Sequence, residues 1–272
     1  MNKRSLLIGF GIMAVVFACS KNPFTGKSTL ALVSNSEIIP SAFQQYNQFL
    51  SENKVVTGTV EAKKVETIGT KIKVAAEKWL NANGHSDYLN GYQWEYKLVE
   101  DKAVNAWCMP GGKIVVYTGI LPITKDDAGL ATVMGHEVSH ALANHGQQRM
   151  SAGMLQQLGA VGVGVAVGNK SAETQQIAMT AYGAATEIGG MLPFSRNHES
   201  EADMIGLTLM AIAGYNPDQA VVFWERMSAN SGGQAPPEFM STHPSDATRI
   251  ANIKALIPQA KAEAAKFGVT FK

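Results

Sequence analysis

The sequence predicts a mostly helical α+β fold with one small sheet. Three observations lead to this class. Apolar residues recur at three-to-four spacing over long stretches, only two short stretches alternate as strands do, and 46% of the 272 residues are hydrophobic. A chain of this length and composition can bury a sizeable core. The formal net charge of +1 and the lack of a long basic run argue against nucleic acid as a partner.

The N-terminal residues have the features of a bacterial lipoprotein signal. Two basic residues are followed by an apolar run over residues 6–18, which is shorter than the roughly 20 residues that cross a bilayer and suits a signal-peptide core. The run ends in Val16-Phe17-Ala18-Cys19, which is similar to a lipobox. We therefore expect removal of residues 1–18 and lipidation of Cys19. An ordinary signal peptide and an uncleaved anchor are the alternatives.

The remaining residues contain no internal repeat. We expect residues 19–36 to form a lipidated tether and residues 37–272 to form a single folded domain. Periodicity predicts helices over about 37–50, 59–83, from 126 onward and over 247–267, and alternation predicts strands over 92–99 and 113–118.

The stretch His136-Glu137-Val138-Ser139-His140 is the candidate catalytic motif. Residues four apart project from one face of a helix, so both imidazoles can bind one ion. A catalytic zinc site has three protein ligands and an open position, toward which Glu137 can lean as general base for the activated water. Taken alone, the pentapeptide fits a surface helix with two solvated histidines equally well, so a third ligand is needed.

An acidic stretch further along the chain offers this third ligand. Glu199 and Asp203 are four apart, so Glu199 can complete a His-His-Glu site while Asp203 orients a histidine through its free ring nitrogen. Glu201 competes for the role, because it lies roughly 200° round the helix from Glu199 and both cannot face one ion. A solvated acidic helix start is the alternative for all three.

Six ordered motifs carry a resemblance to a known family. In chain order they are 22–26 (NPFTG), 104–112 (VNAWCMPGG), 117–121 (YTGIL), 136–140 with His145, 194–196 (FSR) with Glu199 and Asp203, and 241–244 (STHP) with Arg249. The pattern resembles the zinc metallopeptidases that include the CAAX prenyl endopeptidase and HtpX. It resembles above all their periplasmic lipoprotein branch, the β-barrel assembly-enhancing proteases, but without the tetratricopeptide repeats of some relatives.

The resemblance implies a zincin-like fold with a gluzincin-type site. One Zn²⁺ would be bound by His136, His140 and Glu199. The resemblance therefore selects Glu199 over Glu201 as the third ligand. Asp203 would support a ligand, and Glu137 would be the general base.

The resemblance also implies a substrate strand. The segment from Asn105 to Val116 would place an edge strand beside the zinc, where backbone pairing holds an extended substrate. The residues predicted for this strand are Asn105, Gly112, Ile114, Val115 and Val116.

His243 matches a downstream histidine of the family. It would either occupy the fourth zinc position and hold the enzyme idle, or hydrogen-bond the tetrahedral oxyanion as a catalytic residue. Arg249 could contribute to either arrangement. The alternative for His243 is a cap on a turn before Pro244.

Other features receive structural interpretations. His145 is expected on a different face from the motif histidines, His85 and His198 in solvent, and the thiol of Cys108 in packing. Residues 153–168 are apolar but contain five glycines and two glutamines, so we predict a mobile helical or loop segment rather than a bilayer span.

Together these features predict a zinc endopeptidase of the bacterial cell envelope that hydrolyses peptide bonds of misfolded or stalled envelope proteins. It would be lipid-anchored through Cys19, on the periplasmic side of the outer membrane, with unfolded or misassembled envelope proteins as partners. One alternative is an envelope chaperone or assembly factor with a latent zinc site. The other is a lipid-anchored structural protein in which the histidine motif is accidental.

Overall fold

The computed structural model describes residues 19–230, 238–243 and 247–271. The chain divides into two compact units. Of the described residues, unit 1 comprises 19–38 and Asn144–His198, and unit 2 comprises Ile39–Ala143 and those from Glu199 onward. The predicted signal peptide and Pro244 lie outside the described residues.

The described residues form six strands and ten α-helices. The strands are β1 (Cys19–Lys21), β2 (Ser28–Leu30), β3 (Val55–Val56), β4 (Glu95–Val99), β5 (Ala106–Met109) and β6 (Lys113–Tyr117). The helices are α1 (Asn35–Glu52), α2 (Val60–Ala82), α3 (Leu121–Thr124), α4 (Asp127–Leu142), α5 (His145–Val167), α6 (Ala172–Thr186), α7 (Leu192–Ile212), α8 (Asp218–Asn230), α9 (Glu238–Thr242) and α10 (Ala247–Ala265). A π-helical turn, Glu187–Met191, joins α6 to α7.

Unit 2 contains a four-stranded sheet in the order β3-β4-β6-β5. Strands β4 and β6 are parallel, and the other neighbours are antiparallel. Glu95 pairs with Lys113 in the β4–β6 register, and Lys113 Nζ lies 3.1 Å from Glu95 Oε2. Strand β5 is therefore one edge of the sheet, and it packs beside α4.

Helix α2 contributes much of the core of unit 2. The side chain of Thr59 caps its first turn by accepting from Ala62 N at 3.1 Å. The helix buries one apolar face against β4 and α4. At Gly69 the ring of Tyr96 fills the space that a Cβ would need, so a glycine is required where α2 crosses β4.

Unit 1 contains the β1–β2 hairpin and an α5–α6 helical pair. Two hydrogen bonds join the start of α5 to the segment that follows β2. Leu32 N donates to Ser151 Oγ at 3.0 Å, and Gln147 Nε2 donates to Val33 O at 2.7 Å. The predicted tether is thus partly a strand hairpin.

Helix α5 shows which of the two forms expected for residues 153–168, helix or loop, the segment adopts. Residues 153–167 are the last 15 residues of this 23-residue helix. Among the described residues α5 alone is long and apolar enough to cross a membrane. Only 6% of its most apolar window is buried. The glycines lowered the helical signal of the sequence, but the uninterrupted run without proline or charge permits the helix.

The longest predicted elements agree with the structure. The helices predicted over 37–50, 59–83 and 247–267 are α1, α2 and α10, and Asp126 precedes α4 as predicted. The strand predicted over 92–99 begins at Glu95. The edge strand expected from Asn105 to Val116 is divided into two strands, β5 and β6.

Candidate active site

Helix α4 places the two motif histidines inside unit 2. The Asp126 side chain accepts a hydrogen bond from Gly129 N at 2.8 Å and so begins the helix. At the other end, the hydroxyl of Tyr88 donates to Leu142 O at 2.6 Å. His136 and His140 are 2% and 6% exposed, which excludes a surface helix with two solvated histidines.

Helix α7 crosses α4 at two glycines, which brings the acidic residues to the histidines. A Cβ at Gly206 would lie 2.9 Å from His136 N, and one at Gly135 would lie 3.0 Å from Gly206 O. The two backbones can approach this closely only without side chains. Glu199 and Asp203, on the same helix, thereby reach His136.

Four side chains direct ligand atoms toward one point. They are His136, His140, Glu199 and His243, and their ligand atoms all lie within 4.8 Å of one another. His136 Nε2 lies 3.1 Å from His140 Nε2, 3.1 Å from His243 Nδ1 and 3.2 Å from Glu199 Oε2, and His140 Nε2 lies 3.3 Å from Glu199 Oε1.

These distances fit a tetrahedral metal site. Ligand atoms roughly 2.0–2.1 Å from a tetrahedral zinc lie roughly 3.3 Å from each other. The imidazole and carboxylate donors are also among those that zinc prefers. The structure therefore brings together the three predicted ligands, with His243 as a fourth donor.

The two candidate glutamates take different positions. Glu199 is a member of the donor cluster, whereas Glu201, although only 6% exposed, is not among its four residues. Residues two positions apart on a helix point in different directions, so Glu199 and Glu201 cannot both face the cluster. Asp203 Oδ1 lies 2.9 Å from His136 Nδ1, so it orients the imidazole with Nε2 toward the other donors.

His243 contacts both the donor cluster and Glu137. Its Nδ1 lies 2.9 Å from Glu199 Oε2, and its Nε2 lies 3.4 Å from Glu137 Oε1. The residue directly follows α9, where its backbone N–H donates to Phe239 O at 2.8 Å, and the Phe239 ring lies 4.7 Å from its own.

Arg249 stabilises the acidic side of the cluster. Its Nε and Nη2 atoms donate to the two oxygens of Asp203 at 2.8 Å each, and Nη1 lies 3.2 Å from Glu199 Oε2. The guanidinium carbon lies 3.8 Å from the centre of the Trp224 ring, a cation–π geometry. Arg249 is thus a positioning residue that acts through the carboxylates.

The sequence analysis did not identify Trp224 as a residue of the site. A tryptophan on an amphipathic helix gives no sign that its ring will contact an arginine.

The pKa values in the cluster reflect a balance between burial and hydrogen bonding. Burial lowers the pKa of His136, but Asp203 and Glu199 outweigh it and raise the value to about 9. Burial raises the pKa of Glu199, yet bonds from His136, His140 and His243 hold it well below its usual range. For Asp203, burial is outweighed by Arg249 and His136, which lower the pKa. Both carboxylates are therefore ionised.

Two other groups are held in their neutral forms. Burial, together with the neighbouring histidines, lowers the pKa of His140 well below its ordinary value, so this imidazole is ready to act as a ligand. Burial and the nearby Glu137 raise the pKa of the Cys108 thiol well above its ordinary value. A neutral thiol is a poor nucleophile, which agrees with packing as its role.

Comparison with known proteins identifies the family. The family model "Peptidase family M48" matches residues 70–257, which include every residue of the donor cluster. The chain belongs to peptidase family M48. Peptidases of this family use zinc, so the ion that His136, His140 and Glu199 fit is Zn²⁺.

Relatives of this M48 chain include mitochondrial and bacterial proteins. It is 34% identical over 204 residues to "Mitochondrial metalloendopeptidase OMA1" of Saccharomyces cerevisiae, covering 72% of the chain and 56% of that protein. It is 28% identical over 272 residues to the human "Metalloendopeptidase OMA1, mitochondrial", covering 95% and 51%. It is 29% identical over 168 residues to the "Beta-barrel assembly-enhancing protease" of Escherichia coli, covering 59% and 34%. The chain thus spans about half or less of these relatives.

The substrate-strand prediction for the M48 chain requires a correction. Ile114, Val115 and Val116 lie on β6, which pairs with β4 on one side and β5 on the other, and all three are fully buried. They cannot pair with a substrate. The edge of the sheet lies one strand away, at β5.

The other two predicted substrate-strand residues have structural roles in the β5–β6 hairpin. The side-chain oxygen of Asn105 accepts from Ala106 N at 2.8 Å. Gly112 has a φ of +85°, and a Cβ there would lie 2.8 Å from the Trp94 ring. The turn therefore needs glycine for its conformation and for space.

Of the remaining histidines, His85 is exposed as expected, but the prediction for His198 is wrong. His198 is 3% exposed, and its ring stacks on that of His145 at 4.0 Å. His198 Nε2 also lies 3.1 Å from Gln148 Oε1. Both rings are packed in the interior of unit 1. The sequence-based interpretation placed His198 in solvent because histidine is polar.

Proposed function

We propose that this M48 chain is a zinc endopeptidase of the bacterial cell envelope, acting on unfolded or misassembled envelope proteins. The observation that carries the proposal is the three-ligand cluster with Glu137 beside it. Glu137 directly follows His136 on α4 and is 4% exposed, so it belongs to the same buried centre.

The chemistry assigns a role to each residue. His136, His140 and Glu199 would hold the zinc, which would supply Lewis acidity toward a peptide carbonyl and a water molecule. Glu137 accepts a proton from the attacking water as its oxygen bonds to the carbonyl carbon. It then delivers that proton to the amine nitrogen as the C–N bond breaks.

Asp203 and Arg249 hold this arrangement in place. Asp203 fixes the ring orientation of His136, and Arg249 binds Asp203 with two hydrogen bonds while facing Glu199. A bidentate guanidinium–carboxylate pair restricts both partners. These two residues position the ligands and do not contact the reacting atoms.

Strand β5 is the proposed site of substrate binding. An extended peptide that adds to its free edge would lie beside α4, the helix of the catalytic motif. Pairing through the backbone selects extended, unfolded chains rather than a particular side chain. This favours unfolded or misassembled proteins as substrates.

Two features support the envelope as the location. The lipobox-like sequence ending at Cys19 predicts a lipid anchor. In addition, one bacterial relative is named for the assembly of β-barrels. The periplasmic side of the outer membrane is the proposed site, with the membrane contacted through the lipid on Cys19.

A chaperone or assembly factor with a latent zinc site is the second candidate. One observation favours it, the contact of His243 with both Glu137 and Glu199, which is the arrangement expected if His243 keeps the centre idle. Both candidates predict binding of unfolded chains, but only the first predicts their cleavage.

The test compares envelope proteomes of strains that carry wild-type protein or Glu137→Gln. We expect Glu137→Gln to retain intact envelope proteins that co-purify with it and accumulate in the envelope. A Glu137→Gln/His140→Ala variant is the control for loss of the zinc site. An unchanged proteome, with the same co-purifying proteins as wild type, would support the assembly factor instead.

A further inference from the structure

Helix α5 has a continuous apolar stripe of exposed side chains. Its members follow the spacing i, i+4, i+8, i+11 and i+15, which places them on one helix face. They are Met150 (50% exposed), Met154 (44%), Leu158 (67%), Val161 (65%) and Val165 (79%). Isolated exposed apolar residues are common, but a continuous stripe of this kind marks an interaction surface.

The charge-free part of α5 has the length of a bilayer interior. No charged residue occurs over residues 150–169, between Arg149 and Lys170. The helical part of this run, residues 150–167, extends over roughly 27 Å at about 1.5 Å per residue, close to the roughly 30 Å of the hydrocarbon core. Arg149 and Lys170 would then lie at the two interfaces, where long basic side chains reach the lipid headgroups.

Hydrogen bonds join α5 and α6 on the inner side of the pair. Gln156 Nε2 donates to Thr186 Oγ1 at 2.8 Å, and Tyr182 OH donates to Gln156 O at 2.9 Å. Gly159 leaves the space that the Tyr182 ring fills. Hydrogen bonds between helices and small residues at close crossings are the features of helix pairs in lipid.

Helix α6 and the turn after it continue the apolar surface. Ile177 is 63% exposed and Ile188 is 69% exposed. Residues 174–186 carry no charge. The apolar surface is therefore shared by both helices of the pair.

We propose that the α5–α6 hairpin inserts into a lipid bilayer, with the α5 stripe against acyl chains. The length of the charge-free run and the basic residues at its two ends favour lipid over a second copy of the chain, for which neither property is required. Insertion is separate from the predicted anchor at Cys19 and from the proposed cleavage chemistry. In sequence, the hairpin joins α4 to α7, the two helices that supply the zinc ligands.

Photo-crosslinking tests this proposal on the full chain. The photoreactive residue p-benzoylphenylalanine replaces Val161 or Leu158 on α5, or Val60 on α2 as the matched control. Val60 and Val161 are the same residue type, both helical and both 65% exposed. Each protein is reconstituted into vesicles of phosphatidylethanolamine and phosphatidylglycerol, irradiated and analysed by mass spectrometry.

We expect phospholipid adducts at Val161 and Leu158 and none at Val60. A charge introduced into the stripe should remove them: Val161→Asp should abolish the adduct at Leu158, whereas Val60→Asp should leave it unchanged. Circular dichroism checks that each variant is folded. Crosslinks to a second chain or another protein in place of lipid, equal lipid adducts at Val60, or no adduct on α5 would each overturn the proposal.

Discussion

His243 and Glu137 are in contact across the candidate active site, with His243 Nε2 3.4 Å from Glu137 Oε1. The other nitrogen of the same ring lies 2.9 Å from Glu199 Oε2. A single imidazole therefore contacts both the general base and the ligand cluster. In the proposed mechanism a water molecule meets Glu137 in this region, so we infer that the arrangement is a closed resting state.

The closed state predicts that His243→Ala raises basal proteolysis. Removing an internal competitor should increase cleavage of an unfolded protein such as casein by on the order of tenfold, since only the open fraction of the wild type is active. Zinc content should stay the same, because three ligands remain. His85→Ala, which removes an exposed histidine, is the control. A fall in cleavage with zinc retained would instead favour hydrogen bonding of His243 to the oxyanion.

The ligand assignment predicts different results for two neighbouring glutamates. Glu199→Gln should lower zinc affinity by more than roughly 100-fold, beyond the effect usual for residues that only support a ligand. Glu201→Gln should leave the affinity unchanged, because Glu201 is not in the donor cluster. Competition with a chelator measures both values. Loss of zinc from Glu201→Gln alone would show that the assignment is reversed.

The crossing of α4 and α7 predicts that Gly206→Ala destabilises the protein. A Cβ at this position would lie 2.9 Å from His136 N, so the helices must separate at a cost of about 1–3 kcal/mol in the free energy of unfolding, with weaker zinc binding. Gly164→Ala is the control, since nothing lies within 4 Å of its Cβ and alanine favours the helix. Urea denaturation compares the two. Equal stability of both variants would contradict the close crossing.

The raised pKa of His136 predicts the pH dependence of zinc binding. Without metal, this imidazole keeps its proton up to about pH 9, whereas a zinc ligand must be neutral. Proton and zinc compete, so zinc affinity should rise with pH and level off above about 9. Titration calorimetry at about pH 7.5 in buffers of different ionisation enthalpy should detect release of about one proton per zinc bound. Affinity that falls as pH rises from 7 to 9 would contradict this.

The helices and the zinc ligands could be predicted from the sequence because their signals are local. The spacing of His136 and His140 places them on one helix face whatever surrounds them, and the amphipathic period of α2 spans many turns. The choice of Glu199 over Glu201 was not decided by local spacing and required the family resemblance. In the structure it follows from the glycine crossing of α4 and α7.

Other features depend on contacts between distant segments. The edge position of β5 is decided by the pairing of β6 with β4, which no local pattern in residues 105–116 reveals. The burial of His198 depends on the approach of His145, and the contact of Arg249 with Trp224 joins α10 to α8. The choice between helix and loop for residues 153–168 stayed open, because five glycines weaken the local helical signal.

The most direct test of the account measures cleavage and zinc content on the same samples of His243→Ala and His243→Ala/Glu137→Gln. The first variant removes the closed state, so that the base can be tested in an open enzyme. We predict that both bind one zinc, and that the second loses cleavage of an unfolded protein by roughly 10²–10⁴-fold, the usual contribution of a general base. Equal cleavage by the two variants at equal zinc content would contradict the assignment of Glu137 as the general base of this metallopeptidase.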